Sequence, residues 1–510
     1  MLIKRHGANT VFSFYTRTMK KIAVIGAGFS GLAAASSLAK EGYDVTVLEK
    51  NNSAGGRARK FQSDGFTFDM GPSWYWMPDV FEKFFARFGK NVSDYYELER
   101  LSPSYRIYYG PKDCMDLPAG VEGLCKLFDE LEPGSSKNLL RFLEEGEYKY
   151  DIGINELVYK PGLSIGELVD MKLLAGVFKM HVFQSISQYV RKFFKEPRII
   201  QLLEFPVLFL GATAQKTPAL YSLMNYADMA LGTWYPKGGM HKIVDGLTTL
   251  AIEQGVKFEF NSEVSRFTLD GNSIKEVIVN GNPRRFDYVI AGADYHHVEQ
   301  TMLPETHRRY TESYWQNRSM APSSLIFYLG LNKKISGLLH HTLFFDEDFS
   351  VHAKEIYEDP KWPTSPQFYV SCPSQTDPTV APVGHENIFI LIPVAPGLID
   401  EDSIREKYYD LVMARFEKIM GQSIRDHVVF KRSYAHNDFI ADYHAFKGNA
   451  YGLANTILQT ANLKPSILNK KVKNLFYTGQ LTVPGPGVPP SLISGQVVAK
   501  ELIKLDKSSN

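Results

Sequence analysis

Between Lys20 and Glu49 the chain carries a pattern that few folds can accommodate. Ile22-Ala23-Val24-Ile25 is a short, mostly β-branched run that reads as a buried strand, and it enters Gly26-Ala27-Gly28-Phe29-Ser30-Gly31 without a break. Leu32 to Ala39, rich in Ala and Leu, reads as a helix ending near Gly42, and Asp44 to Leu48 as a second strand that ends at Glu49. Strand, G-x-G-x-x-G, helix, strand and terminal acid make up a βαβ unit of the dinucleotide-binding kind. Each position has a physical reason. Gly26 permits the tight turn, Gly28 lets backbone approach a pyrophosphate at the helix amino terminus, and Gly31 allows the helix to pack closely on the strand. Ala27 and Ser30, inside the same loop, are expected to touch the ligand, and Glu49 to accept hydrogen bonds from ribose hydroxyls. A glycine turn without ligand is the plainer reading, but it leaves both strands and the acid unexplained. The expected ligand is an adenine dinucleotide.

Composition sets the remaining bounds. A length of 510 residues allows about three domain-sized units. With 44% hydrophobic and 22% charged residues the chain is an ordinary globular one. Lys plus Arg (57) nearly cancel Asp plus Glu (56), so the excess positive charge that phosphate-backbone binding requires is lacking and nucleic acid is not an expected partner. Cys114, Cys125 and Cys372 are odd in number, far apart and without C-x-x-C, which suggests neither a disulfide framework nor a zinc site and points to a reducing compartment. The 13 histidines include no H-E-x-x-H, so no metal is expected. Two uncharged stretches, Ile22 to Ala39 and Leu475 to Ala499, are long enough to span a bilayer, but glycines, serines and prolines interrupt both. Residues 1–19 lack the apolar core of a secretory signal and read as an extension outside the fold, with a later start at Met19.

Beyond Glu49 the text reads Lys50-Asn51-Asn52-Ser53-Ala54-Gly55-Gly56-Arg57, then Gly65-Phe66-Thr67-Phe68-Asp69-Met70-Gly71-Pro72-Ser73. Near the carboxyl end, Asn474 to Tyr477 reads as a strand running into Thr478-Gly479-Gln480. A proline-glycine segment, Pro484-Gly485-Pro486-Gly487-Val488-Pro489-Pro490, follows, and then a terminal helix. Together with Trp234-Tyr235-Pro236-Lys237-Gly238-Gly239, these segments resemble the bacterial-type phytoene desaturases of the FAD-dependent amine oxidase-like superfamily, over about Lys20 to Leu505. The resemblance implies FAD rather than NAD. It places Gly56 and Arg57 beside the cofactor phosphates, Gly71, Pro72 and Ser73 close to the flavin rings, Val264 against the adenine, and Gly479 and Val488 at the carboxyl-terminal end of the flavin site.

The implied fold is α/β, a Rossmann-like two-dinucleotide-domain flavoprotein with an interleaved substrate and membrane-contact domain. Residues 20–90, 235–295 and 465–505 are expected to form the FAD-binding domain, and 91–234 and 296–464 the substrate-binding cap. Phe81 to Gln215 shows amphipathic, aromatic-rich helical patterns, and Glu263 to Ala291 reads as a three-stranded β-meander with turns at Asp270-Gly271-Asn272 and Gly281-Asn282. Val182 to Phe194 places Phe183, Ile186, Val190 and Phe193 or Phe194 at helical spacing. Arg191, Lys192, Lys195 and Arg198 follow, so the segment is a candidate membrane contact as well as a candidate core stripe.

The resemblance implies desaturation of phytoene to lycopene by successive dehydrogenations, with dioxygen or a quinone as electron acceptor, at the cytoplasmic face of the cell membrane. A hydroxycarotenoid 3,4-desaturase, a carotenoid isomerase or another amine oxidase-like oxidoreductase are the alternatives, and a non-catalytic carrier is a further one. Because the cofactor carries the hard step, neither a nucleophilic triad nor a metal cage is expected. His296, just after Asp294, is a candidate proton acceptor, against the plainer reading of an exposed structural histidine. Apolar runs such as Phe205 to Leu210 favour a hydrocarbon over an amine.

Overall fold

The computed structural model describes residues 19–164, 167 and 180–508. All but Met19 of the amino-terminal extension read at 1–19 therefore lies outside the described residues. The glycine turn sits in a five-stranded parallel sheet with the order Leu475–Tyr477, Tyr288–Ala291, Lys21–Ile25, Asp44–Leu48, Lys257–Glu259. Segments more than 400 residues apart in sequence meet here, because a parallel strand needs a partner reached by a crossover rather than a hairpin. Lys21–Ile25 and Asp44–Leu48 are each buried at four consecutive positions, which is why they read as continuous apolar runs rather than alternating ones. Helix Phe29–Lys40 covers the sheet and is packed in turn by the carboxyl-terminal helix Val488–Ser508 and by helix His241–Glu253. The approach of the first two is backbone-close. A Cβ at Gly495 would stand 2.1 Å from the Ser30 carbonyl oxygen.

The meander is only partly as read. Val264–Asp270, Ser273–Val279 and Asn282–Arg284 form an antiparallel three-stranded sheet, but Tyr288–Ala291 leaves it and pairs in parallel with Lys21–Ile25. Val289, Ile290 and Ala291 are almost wholly buried, an environment that the inner parallel sheet supplies.

A third sheet has seven strands in the order Val428–Tyr434, Ser323–Leu331, Glu386–Val394, Phe368–Ser371, His341–Phe344, Tyr105–Gly110, Asp113–Leu117, and two two-stranded ribbons complete the set among the described residues. Only the pair His341–Phe344 with Tyr105–Gly110 is parallel. Along Ser323–Leu331 successive side chains enter different cores. Leu325, Phe327, Leu329 and Leu331 pack beneath helix Asp402–Met420, while Ile326 and Tyr328 face Phe66, Phe68 and the helices of the insert. The expectation of a helical insert from Phe81 to Gln215 is corrected by the three strands Leu98–Arg100, Tyr105–Gly110 and Asp113–Leu117 within it.

The Val182 to Phe194 stripe is corrected as well. Only Ile186–Val190 is helical, with Ser185 Oγ accepting from the Gln188 N–H at 3.2 Å. Ile186, Val190 and Phe194 are core residues, and Phe194 packs its ring on Phe128 and Phe142. Two of the four cations are held in ion pairs, Arg191 with Glu204 and Arg198 with Asp113 at 2.8 Å. A face buried in the protein is not available to lipid. Of this segment's apolar side chains, Phe183 alone is strongly exposed, at 85%. Both uncharged stretches resolve into strand, turn and helix, and no helix among the described residues is long and apolar enough to cross a membrane.

Candidate functional site

A cavity of about 270 Å³ opens at the carboxyl ends of the parallel strands, where Ile25, Leu48, Gly292 and Thr478 form its rim. This is where open α/β sheets bind their ligands. From there it runs to the seven-stranded sheet, where Ser324, Ile326 and Leu391 form the far wall. Of the residues singled out in the sequence, Gly26, Gly28, Ser30, Glu49, Gly56, Arg57, Gly71, Pro72, Val264, Gly479 and Val488 all line this one space. Three do not. Ala27 lies beneath the floor, its N–H donating to Glu49 Oε2 at 2.8 Å, and Gly31 faces inward, where a Cβ would stand 2.0 Å from the Gly26 carbonyl oxygen. Ser73 turns to a separate void of about 20 Å³ and accepts a hydrogen bond from the Tyr369 hydroxyl at 3.1 Å.

His296 is also outside the cavity. Its Nε2 lies 2.8 Å from Glu312 and its ring packs 4.1 Å from that of Phe446, so the candidate proton acceptor faces an ion-pair partner instead. The next residue, His297, does line the cavity.

The geometry at the turn suits a dinucleotide. A Cβ on Gly28 would meet no described atom within 4 Å, so the cavity reaches the main chain there. Gly28 caps helix Phe29–Lys40 without a side-chain hydrogen bond, and no acid occupies the first turn, which leaves the helix amino terminus open to an anion. Gly56, with φ of 54°, brings its backbone against the same turn, and a Cβ there would lie 3.3 Å from Gly28 Cα. Glu49 is 4% exposed and pinned: Oε2 accepts from Ala27, and Oε1 from the N–H and side-chain amide of Asn51, both at 2.9 Å. A carboxylate has about four lone-pair sites, so acceptor capacity is left for ribose hydroxyls.

Arg57 supplies the fit test. Its guanidinium is stacked 5.0 Å from the Tyr443 ring centre and donates to the Asn449 carbonyl oxygen at 3.2 Å, yet its Nε is buried with no hydrogen-bond partner among the described residues. Burial pulls its pKa down, and the nearby Asp294 carboxyl opposes that shift. A half-buried cation with a buried, unfilled donor, lining the same cavity as an open helix terminus, calls for an anionic ligand. At the other end, Gly479 N–H donates to Ser494 Oγ at 3.0 Å and holds the turn that precedes Gly487 and Val488. Residues of FAD-binding type and spacing therefore fit the group.

Several lining residues carry no sequence signal. Ile326, Leu391, Phe439, Tyr443, His444 and Tyr451 lie far beyond the glycine motif in sequence, and only tertiary structure brings them here.

Residues 29–503 match the flavin containing amine oxidoreductase family. The carotenoid 3,4-desaturase of Haloarcula japonica is 40% identical, over 95% of this chain and 98% of that protein. The zeta-carotene-forming phytoene desaturase of Myxococcus xanthus is 31% identical, over 95% of this chain and 94% of that one. Among solved structures, an oxidoreductase from Methanosarcina mazei aligns with a TM-score of 0.61 at 17% identity, covering 94% of this chain and all (100%) of that one. A putrescine oxidase bound to putrescine aligns at 0.60 and 15% identity, covering 95% of this chain and 99% of that one. At such identities the likeness is one of fold. The cofactor is FAD, in keeping with a flavin-containing family and with the open helix terminus beside Arg57. The chain belongs to the flavin-containing amine oxidoreductases, within the carotenoid desaturase branch of that family.

Proposed function

We propose that this protein is an FAD-dependent carotenoid desaturase that converts phytoene to lycopene by successive dehydrogenations. The observation that carries the reading is the continuity of a single cavity from the dinucleotide turn at Gly28 to an apolar wall of Ile326, Leu391 and Phe439. When bound, FAD supplies acceptance of a two-electron hydride equivalent, and loss of a vicinal proton from the hydrocarbon completes the new double bond. The protein's part is to bind, orient and exclude water. Glu49 would hold the ribose, Gly28, Gly56 and Arg57 the pyrophosphate, Val264 the adenine, and Gly71, Pro72, Gly479 and Val488 the flavin rings. In this reading 20–90, 235–295 and 465–505 are the FAD-binding part, and 91–234 with 296–464 cover the substrate.

A second reading, 3,4-desaturation of a carotenoid that is already conjugated, is favoured by the 40% identity to the Haloarcula japonica enzyme against 31% to the Myxococcus xanthus one. Expression in one host that makes phytoene and in another that makes lycopene or its hydroxylated derivatives, followed by pigment analysis, separates the two. Lycopene from the first host supports the main reading. No change in the first host and a 3,4-didehydro product in the second transfer the assignment to the other, and no change in either refutes both.

A tetraterpene hydrocarbon resides in the bilayer, so the enzyme is proposed to act at a membrane surface, with dioxygen or a quinone reoxidising the cofactor. Phe183, Leu458 and Leu463, exposed by 85%, 76% and 55%, are apolar side chains suited to such contact.

A further inference from the structure

At the end of the cavity that holds Glu49 and Val264, the wall is closed by a strap from the cap. Helix His436–Tyr443 ends at His444, which adopts a left-handed conformation with φ of 52° and lays its ring on that of His297. The two imidazoles are parallel, with 3.9 Å between centres and 8° between planes, and both line the cavity. The strap is tied along its length to the segment that carries Glu49 and Arg57. Lys50 Nζ donates to the Ala441 carbonyl oxygen at 2.8 Å and lies 3.3 Å from His444 Nε2. Arg59 pairs with Asp442 at 2.6 Å, and Arg57 stacks on Tyr443. The dinucleotide motif requires none of these contacts, yet together they bridge the two halves of the molecule over one end of the cofactor space.

We propose that residues 441–444 and His297 form a latch that retains FAD, and that protonation of the stacked histidine pair opens it. The inference rests on FAD as cofactor and is independent of which carotenoid is desaturated.

The charges around the pair set the direction. His297 faces His444, Lys50 and His296. His444 faces Lys50, Asp294 and Glu263, whose Oε1 lies 3.4 Å from its Nε2. The other carboxylates nearby are engaged: Asp442 by Arg59 and the Tyr434 hydroxyl, Asp294 by the N–H groups of His297 and Phe446, Glu312 by His296. For Lys50 to donate to His444 Nε2, that ring must be neutral with its proton on Nδ1. A proton added to either ring sets a cation against Lys50 or face to face with the other imidazole.

Accordingly His297 is pushed down to about 4, by burial first and then by His444, Lys50 and His296. His444 is also lowered, by burial and Lys50 against the opposing pull of Glu263 and Asp294. In the open latch an exposed imidazole titrates at about 6.5. The closed form is therefore fully favoured above that pH and loses ground as pH falls toward 4. For His297 alone, the ratio of open to closed rises by about 30-fold between pH 7.5 and pH 5, given a shift from about 6.5 to about 4.

The test is FAD release from the holoenzyme, followed by recovery of free-flavin fluorescence at pH 7.5 and pH 5, with circular dichroism reporting that the fold persists at both. For the natural sequence the rate of FAD release should rise about 30-fold on acidification, in step with the open latch. In His297→Phe, which keeps a ring against His444 but takes no proton, the rise should fall below about threefold. Lys50→Met removes the neighbouring cation, so its acid release should have a midpoint at higher pH. It remains informative if the phenylalanine variant does not fold. Equal retention at both pH values, a full acid response in His297→Phe, or an unmoved midpoint in Lys50→Met would overturn the proposal.

Discussion

Replacing Gly495 by alanine tests whether the carboxyl-terminal helix sets the position of the nucleotide helix. The added Cβ would stand 2.1 Å from the Ser30 carbonyl oxygen and 2.8 Å from both Ala33 Cβ and Ala34 N. Carbon and carbonyl oxygen approach to roughly 3.3 Å, so helices Phe29–Lys40 and Val488–Ser508 must part by about 1 Å. The nearest atom is backbone, and no rotamer relieves the clash. Leu32, Ala33, Ala34, Leu492 and Val498 are all fully buried at or around this contact, and parting them costs about 1–3 kcal/mol, the usual penalty for overpacking. The first turn of helix Phe29–Lys40 also presents the open N–H groups to the cavity, so the same movement carries them off Gly56 and Glu49. If about 1.4 kcal/mol of that strain falls on the ligated state, FAD affinity drops about tenfold. Urea unfolding of the apoprotein and titration with FAD by fluorescence quenching read the two effects separately. An unchanged unfolding midpoint together with FAD affinity within about twofold of the natural protein would refute the argument that this contact positions the site.

Glu49→Ala and Arg57→Ala should each weaken FAD retention, since charge-assisted hydrogen bonds contribute about 1.5–3 kcal/mol, and excess FAD should restore part of the activity; equilibrium dialysis measures it. Asp228, fully buried and accepting from Tyr105 at 2.7 Å and Thr233 at 3.0 Å, is pushed up to about 6 by desolvation. An acid raised in the fold stabilises fully below its unfolded pKa of 3.8 and loses that contribution as pH climbs through 6, so stability should fall by about 2.4 kcal/mol between pH 4 and pH 8, and Asp228→Asn should flatten the slope in urea titrations. Phe183→Glu should keep the fold and reduce flotation with phytoene-bearing liposomes, whereas Phe194→Glu, which places a charge in the core, should fail to fold stably, as thermal unfolding would register.

The nucleotide unit was legible because its logic is local: strand, turn, helix and acid lie within thirty residues, and Gly31 answers a contact inside that span, against the Gly26 carbonyl oxygen. Long-range pairing was not. Tyr288–Ala291 reads as the last strand of the meander because it follows the meander directly, yet its partners are Lys21–Ile25 and Leu475–Tyr477. Ser323–Leu331 is buried at every position, so no alternation announces that its two faces belong to different cores. Val182 to Phe194 satisfies a helical period over a stretch in which only five residues are helical, since His181 with φ of 51° and the turn at Arg191 break it on both sides. In the site, Glu49 and Arg57 follow from the motif, while the choice of His296 over His297 could not be made from sequence. The two are neighbours on a short helix and face opposite ways, one to Glu312 and the other to the cavity. Tyr443 and His444 have no local signature, because they reach the cavity only through long-range tertiary contacts, Tyr443 against Arg57 and His444 against His297.

The central claim, that bound FAD takes electrons from a carotenoid, is tested most directly by mixing the holoenzyme anaerobically with liposomes containing phytoene and following the visible flavin absorbance. Bleaching of the flavin in step with the appearance of a more conjugated, coloured carotenoid is the predicted result. A flavin that stays oxidised with phytoene, and with lycopene and its hydroxylated derivatives in its place, would contradict the account.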